Sequence, residues 1–340
     1  MALQVWSQHD ITPLTTFGVP VTAEYAVPIA RTEDIQELTG RSDLPLQPWV
    51  ILGGGSNWLF TRDLPGLTVL IRITGIEHLE ENHEYVRLRV GAGEPWDPFV
   101  AYCVERGWGG LENLSLIYGH VGATPVQNIG AYGVEIAEVI EYVETVDLHS
   151  GETVIFSNAE CQFAYRSSVF KTRCRDRYLI THVQYRLSKT SEVTTTYHSL
   201  SNALAEKGIY DPSILDVRRT VIELRQRKLP NPSEVGNAGS FFENPHVSRM
   251  YYAELQKNIP DLPGFHVGED RIKIPAAWLI EYCGWKGYRE GDAGVYPHQP
   301  LVMVNYGHAS GQDIFELSER VRRSVYETFG IWLEREVTVV

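Results

Sequence analysis

The sequence predicts a mixed α+β protein in two or three lobes, and three observations carry that prediction. Short apolar runs of strand character crowd the first 190 residues, amphipathic helical periodicity takes over after about residue 210, and 340 residues suit two domains, with a third within reach. The strand-like runs are Tyr25 to Ile29, Trp49 to Leu52, Leu67 to Ile73, Tyr85 to Val90, Val139 to Leu148 and Tyr178 to Leu187. Between Leu148 and Thr153, His149-Ser150-Gly151-Glu152 reads as a hairpin turn, because glycine supplies the positive-φ position. Helices are few in this half. The best runs from Pro98 to Arg106, with Asp97 as N-cap and Pro98 in the first turn. Later, Asp211-Pro212 starts a helix whose apolar face is Ile214, Val217, Val221 and Leu224. A longer helix, Gln312 to Phe329, carries Ile314, Leu317, Val321 and Val325 and ends at Gly330, and a strand from Ile331 to Val339 follows it. A lobe boundary falls near residues 205–215.

Composition narrows the function classes. Hydrophobic residues make up 43% and charged residues 21% of the chain, which suits a packed globular protein and excludes disorder, collagen and coiled coil. A net charge of −13 opposes non-specific nucleic-acid binding, which depends on neutralising phosphates, although a local basic patch can still hold a small anion. The four cysteines, Cys103, Cys161, Cys174 and Cys283, are widely spaced and suit reduced thiols better than a disulfide framework or a zinc site. The amino terminus lacks the basic and apolar regions of a signal peptide, and no apolar run approaches the roughly 18 residues of a membrane span. These features point to a soluble cytoplasmic protein. The 11 histidines show no ligand spacing, so no metal site is inferred.

Five stretches have chemistry-bearing composition. Strand-like Ile51-Leu52 runs into Gly53-Gly54-Gly55-Ser56-Asn57, which is either a plain turn or a nest whose N–H groups converge on an anion. It matches neither a Walker loop nor a Rossmann turn. Residues 116–133, with Gly119, Gly122, Gly130, Gly133, Pro125, Gln127 and Asn128, have almost no regular propensity. That length is either a structural Ω-loop or a surface for the edge of a flat heterocycle. Arg166 lies among Phe163, Tyr165, Val169 and Phe170, where desolvation demands an anionic partner, either a protein carboxylate or a substrate carboxylate. Arg225 to Lys228 form a basic cluster, and Gly236 to Pro245 set Ser240 before Phe241 and Phe242, where a hydroxyl is either a turn serine or a proton relay. In the terminal strand, Glu334 and Glu336 share one face.

Taken together, Thr16-Phe17-Gly18, the Gly53–Asn57 loop, the block from Pro125 to Gly133, Tyr165-Arg166, the block from Gly236 to Pro245 and the ending Leu333-Glu334-Arg335-Glu336-Val337 resemble the UDP-N-acetylenolpyruvoylglucosamine reductase family. The resemblance runs from about Thr16 to Val337. It implies a vanillyl-alcohol-oxidase/p-cresol-methylhydroxylase type FAD-binding fold in two subdomains, residues 1–68 and 69–210, plus a C-terminal α+β substrate-binding domain, residues 211–330, with residues 331–340 packing on the first subdomain. It implies NADPH-dependent reduction of an enolpyruvyl nucleotide sugar in bacterial peptidoglycan precursor synthesis, through non-covalent FAD, by a protein working as a monomer on small molecules, without nucleic acid or membrane.

Site residues follow by position in the matched motifs. Arg166, Ser240 and Glu336 match the catalytic group, with Ser240 as proton donor and Glu334 as the fallback carboxylate. Gly53, Gly54, Gly55, Ser56, Asn57, Gly122, Thr124, Pro125, Gln127, Asn128, Gly130, Ala131, Tyr132 and Gly133 match the cofactor-binding loops. Tyr165, Tyr197, Arg225, Lys228, Asn244 and Gln299 match substrate contacts, and Tyr197 belongs to an additional loop found in one branch of the family. The chain departs from the family pattern at Tyr118, where proline is commoner, at His120, where a small residue is usual, and at Arg335, which replaces a proline. Two other readings are an oxidase of the same flavin fold, which lacks support because no covalent attachment motif lies near residues 53–57, and a non-catalytic nucleotide-sugar sensor, which would need no proton donor.

Overall fold

The computed structural model describes residues 3–45, 48–190 and 192–340. The chain divides into two compact units. The first comprises Met1–His9, Thr22–Gly55 and Leu64–Gln226, and the second comprises Asp10–Val21, Ser56–Asp63 and Arg227–Val340.

Two sheets build the first unit. One has the strand order Trp6–Asp10, Thr22–Ile29, Leu64–Ile71, Val50–Leu52. Its inner pairs are parallel, with Val27 beside Val69 and Leu52 beside Leu70. Parallel neighbours need a crossover, and the helix Thr32–Thr39, which buries Ile35 and Leu38, lies between Thr22–Ile29 and Val50–Leu52 in the chain. The other sheet is antiparallel, in the order Thr153–Ser157, Ile140–Asp147, Tyr178–Ser188, Tyr85–Gly91, Ile76–Glu81. Val183 sits between Val143 and Val90, and all three are fully buried. The six strand-like runs seen in the sequence are all strands here, and Gly151 takes φ 73° in the expected hairpin turn.

The helix Trp96–Glu105 buries Trp96, Phe99, Val100, Cys103 and Val104, the spacing of one helical face. It starts two residues before the predicted Pro98, with Pro95 as N-cap, so Asp97 is not the cap. The Asp97 carboxylate instead accepts from the Leu116 amide at 2.6 Å and pairs with Arg218 at 2.8 Å. A long-range ion pair has taken the side chain that the local pattern assigned to capping. Three helices absent from the sequence reading, Thr32–Thr39, the short Asn158–Cys161 and His198–Glu206, complete this unit with Ile214–Lys228. The last starts later than Asp211-Pro212, where Asp216 N–H donates to the Ser213 hydroxyl at 3.2 Å. Leu200, Ala203 and Leu204 pack with Val217, Val221 and Leu224 in a satellite core, and Tyr132 lies against it.

The second unit carries a sheet in the order Gly236–Ser240, Val302–Asn305, Ala293–Val295, Arg289–Glu290. The helix Gly311–Phe329 lays Ile314, Leu317, Val321, Val325 and Phe329 into its core and ends at Gly330 with φ 65°. Phe17, Val19 and Leu59 join the same core from the amino-terminal third of the chain. Asn305 Nδ2 donates to Phe17 O at 3.2 Å, and Asn237 N–H donates to Thr16 O at 3.0 Å. Predicted as a strand from Ile331, the terminal segment pairs as regular strand only over Thr338–Val339, in parallel with Trp58–Leu59. Before it, Arg322 Nε donates to Leu333 O at 2.8 Å, and residues 334–336 bond backbone to backbone with 241–243 outside any regular strand.

Two predictions follow from this packing. Leu88 is fully buried in a central strand and Leu79 is 44% exposed on the neighbouring edge strand. Leu88→Ala should lower unfolding stability by about 2–5 kcal/mol in urea titrations, while Leu79→Ala stays within about 0.5 kcal/mol. Burial pushes the Cys161 thiol up to about 12 and raises the Cys103 thiol as well, whereas Cys174 and Cys283 are only half-buried. A thiol-specific chromogenic reagent at pH 8 should therefore react with two cysteines in the native protein and with all four in denaturant.

Candidate functional site

In the first unit the glycine loop begins where the parallel strand Val50–Leu52 ends, at the carboxyl end of the sheet, where open parallel sheets bind ligands. Gly55 has φ 60°, and a Cβ on Gly54 would lie 2.7 Å from Gly119 Cα. The loop Gly53–Gly55 and the start of the 119–133 segment therefore touch backbone to backbone, which only glycine permits. His120 closes on the same place, with its Cδ2 3.1 Å from that Gly54 Cβ position.

Residues 116–133 form a folded loop with one 3-10 turn, Val121–Ala123, and a small hairpin pairing Gly130–Ala131 with Val134–Glu135. Tyr132 and Gly133, at φ 48° and 87°, turn the hairpin. Leu116 and Asn128 also hold positive φ, at 56° and 46°, a conformation that costs a non-glycine residue and is concentrated at functional sites. Thr124 and Asn128 are buried, and their polar groups are occupied within the protein. The Thr124 hydroxyl donates to Val121 O at 2.8 Å, and it lies 3.0 Å from the Tyr185 hydroxyl. Asn128 Nδ2 donates to Glu135 Oε2 at 2.7 Å and to Ala164 O at 3.1 Å, and its Oδ1 accepts from Ala137 N–H at 3.1 Å. These two residues shape the loop. Gly122 lets it pack on Ala92, whose Cβ would stand 2.5 Å from an added methyl.

Cations hold the ends of the loop. Arg166 sits at φ 51° in a two-residue turn closed by reciprocal backbone bonds of 3.0 Å between Ala164 and Ser167. Its Nη2 donates to Gly130 O at 2.9 Å, and its guanidinium stands 5.2 Å from the centroid of the Tyr165 ring. Arg225 Nε donates to Leu116 O at 3.1 Å. Burial lowers the Arg225 pKa first, the Tyr132, Tyr118 and Asp97 groups raise it, and Arg166 lowers it again. Two guanidinium groups thus share one electrostatic neighbourhood in an acidic protein. Tyr197, 49% exposed, stacks edge-on against Tyr132 with ring centroids 5.5 Å apart.

Sequence reasoning missed the residue that ties this neighbourhood together. Asn113, 1% exposed, donates from Nδ2 to Tyr132 O at 2.9 Å and to Thr194 O at 2.8 Å. No local pattern marks it, because both partners are distant in the chain. The Asp97–Arg218 pair escaped for the same reason.

Ser240 ends the strand Gly236–Ser240 in the second unit. The pairing slips between Asn237 and Ser240, Gly239 takes φ 70°, and Gly239 N–H donates to Asn237 Oδ1 at 3.0 Å. This irregularity re-aims the residue that follows it. Asn237, 4% exposed, also donates to Val235 O at 2.8 Å, so the stretch is locked by its own buried amide. Residues 334–336 run antiparallel to 241–243. Glu336 N–H donates to Phe241 O, and Glu243 N–H donates to Glu334 O, both at 2.9 Å. This register sets Glu336 beside Phe241, one residue from Ser240, and sets Glu334 further along at Glu243. Glu336 is half-buried and Glu334 exposed.

Asn57 Nδ2 donates to Glu336 O at 3.1 Å, so this residue buttresses the terminal carboxylate segment. Asn244 Oδ1 accepts from Ala276 N–H at 2.9 Å and caps the helix Ala276–Tyr282. Gln299 stands in the turn before Val302, whose N–H donates to its carbonyl at 3.0 Å. Lys228 is exposed at the end of its helix. Among the described residues no cluster of three His, Cys, Asp or Glu side chains suits a metal ion.

Comparison with known proteins bears on the fold and the family. Residues 231–340 match a family model described as the UDP-N-acetylenolpyruvoylglucosamine reductase C-terminal domain, and residues 24–157 match a FAD binding domain. The chain is 44% identical over 341 residues to the UDP-N-acetylenolpyruvoylglucosamine reductase of Chromobacterium violaceum, covering 100% of both. It is 41% identical over 339 residues to that of Flavobacterium johnsoniae, covering 99% of this chain and 100% of the relative. A crystal structure of UDP-N-acetylenolpyruvylglucosamine reductase from Thermus caldophilus superposes over 100% of this chain and 99% of its own, with a TM-score of 0.67 at 23% identity, and so shares the fold. With full-length relatives at this identity, the chain belongs to the UDP-N-acetylenolpyruvoylglucosamine reductase family.

Proposed function

We propose that Arg166, Ser240 and Glu336 carry the chemistry by which this FAD-dependent oxidoreductase reduces the enolpyruvyl group of UDP-N-acetylglucosamine enolpyruvate with NADPH, in bacterial peptidoglycan precursor synthesis. The observation that carries the assignment is the pairing of Glu336 with Phe241, which puts a carboxyl group and the Ser240 hydroxyl on neighbouring backbone although 96 residues separate them.

FAD fits the first unit. Gly54 and Gly122 leave no room for a Cβ, and the Gly53–Gly55 nest opens at the carboxyl end of a parallel sheet. We assign Gly53, Gly54, Gly55, Ser56, Gly122, Pro125, Gln127, Gly130, Ala131, Tyr132 and Gly133 to the cofactor loops, with Thr124, Asn128 and Asn57 as supports of those loops and of Glu336. Bound FAD supplies hydride transfer from NADPH to the methylene carbon of the enol ether. The residues of the chain manage the resulting charge. The guanidinium of Arg166 grips the substrate carboxylate, into which negative charge delocalises, and Glu336 adds a donor through its acid proton or a bridging water. Ser240 delivers a proton to the adjacent carbon, completing the lactyl ether. Tyr165 orients Arg166, while Arg225, Lys228, Tyr197, Asn244 and Gln299 serve the nucleotide sugar.

In this reading residues 1–68 and 69–210 form the flavin subdomains and residues 211–330 the substrate domain, supported by the family matches over 24–157 and 231–340, although the compact units group 10–21 and 56–63 with the second unit and 211–226 with the first. The protein works as a cytoplasmic monomer on small molecules. No helix among the described residues is long and apolar enough to cross a membrane.

Anaerobic half-reactions test the assignment. NADPH should bleach the flavin of Ser240→Ala at nearly the wild-type rate, while re-oxidation by the enolpyruvyl sugar slows by roughly 10²–10⁴-fold. Equal loss in both halves would remove Ser240 from the proton transfer. Glu336→Ala should slow re-oxidation by roughly 10²-fold, with Glu334→Ala within about twofold of wild type. The reverse ranking would move the role to Glu334.

A further inference from the structure

Gly53 and Arg72 follow adjacent parallel strands. Leu52 lies beside Leu70, so Gly54 and Arg72 emerge side by side at the carboxyl end of the sheet. Arg72 is half-buried, its Nη1 donates to Ile71 O at 3.0 Å, and no carboxylate pairs with it among the described residues. In a chain of net charge −13 a desolvated guanidinium without a carboxylate is unusual, and it marks a place where negative charge is missing.

His120 stands beside it. The backbone there is extended, at φ −119° and ψ 158°, so it imposes no particular side chain. The imidazole Nδ1 lies 3.8 Å from the position of a Cβ on Gly53. That Nδ1 is buried and has no hydrogen-bond partner among the described residues. Burial and the Arg72 guanidinium hold the imidazole below its ordinary pKa, which keeps the ring neutral, with a proton on one nitrogen. A buried polar nitrogen without a partner is costly unless a ligand supplies one.

We propose that His120 is a further cofactor-binding residue: its Nδ1–H donates to a phosphate oxygen of the dinucleotide diphosphate held at Gly53–Gly55, beside the Arg72 cation. The inference rests on the assignment of FAD to the glycine loop. It gives the orphaned Nδ1 of His120 a partner. A phosphate oxygen satisfies both observations at once, as an acceptor for the orphaned Nδ1 and as an anion for Arg72.

The test is equilibrium binding to the full chain freed of flavin, read by quenching of flavin fluorescence, with FAD and riboflavin as probes. His120→Ala should weaken FAD binding by about ten- to a hundredfold and leave riboflavin, which has no phosphate, within about twofold. His120→Asn, which keeps a donor at the δ position, should restore FAD affinity to within about threefold, and His120→Gln, which offers its polar group at the ε position, should not. Equal losses for FAD and riboflavin would show that the ring acts by packing, and this would overturn the proposal. Unchanged FAD affinity in His120→Ala would overturn it too, as would rescue by Gln instead of Asn. Urea midpoints of all three variants check that each is folded. If the wild-type chain itself bound no FAD, the cofactor assignment would fail and this inference with it. If the wild type binds FAD and the variants match it, only the role of His120 fails.

Discussion

Everything the first unit offers a ligand depends on how the backbone of residues 116–133 finds hydrogen-bond partners without a regular ladder. Backbone carbonyls cannot stay unpaired when buried, and a loop of this length has few partners of its own. Side chains from elsewhere fill the gap. Arg225 holds Leu116 O, Ser168 Oγ donates to Val126 O at 2.7 Å, Arg166 holds Gly130 O, and Asn113 holds Tyr132 O. Two of these four anchors are the guanidinium groups assigned to substrate. The loop and its cations are therefore one device, because the hydrogen bonds that order the backbone also fix where each positive charge stands.

The second unit solves a related problem with backbone instead of side chains. Its serine and its carboxylate come from ends of a sequence stretch nearly 100 residues long, and the antiparallel bonds joining 241–243 with 334–336 set their register. A slip of two residues in that pairing would exchange Glu334 for Glu336. Arg322 and Glu319 brace the segment from the long helix, Arg322 at Leu333 O and Glu319 at Arg335, whose guanidinium also lies over the Phe315 ring at 4.8 Å. Arg335 thus gives the terminal segment a tie to that helix.

Periodicity and turn chemistry made the strands, the hairpin at Gly151 and the two long helices legible, because each depends on neighbours within a few residues. Asp97 shows where that reasoning ends. By local rules it caps a helix, yet Arg218, 121 positions away, takes its carboxylate. The terminal strand failed for the converse reason. Its residues alternate suitably, but regular strand forms only over Thr338–Val339, while 334–336 make a short antiparallel pairing with 241–243. At the site, the glycine-rich stretches, Arg166 and Ser240 stood out by composition. Asn113 and Asn237 did not, since a buried amide that satisfies distant carbonyls looks in sequence like any surface asparagine. Family resemblance supplied the catalytic positions proposed here, but could not show that Thr124 and Asn128 point their polar groups into the protein.

The discontinuity of the second unit has a consequence for synthesis on the ribosome. Its core draws Phe17, Val19 and Leu59 from segments made early, while the sheet and helices they pack against lie beyond Arg227. Every residue of the first unit has left the ribosome before most of the second unit's core exists. A nascent chain with its flavin-type unit already closed must carry those early apolar side chains without their destination until the last third is translated. The interval is one in which chaperone capture, or unwanted association between nascent chains, competes with correct closure.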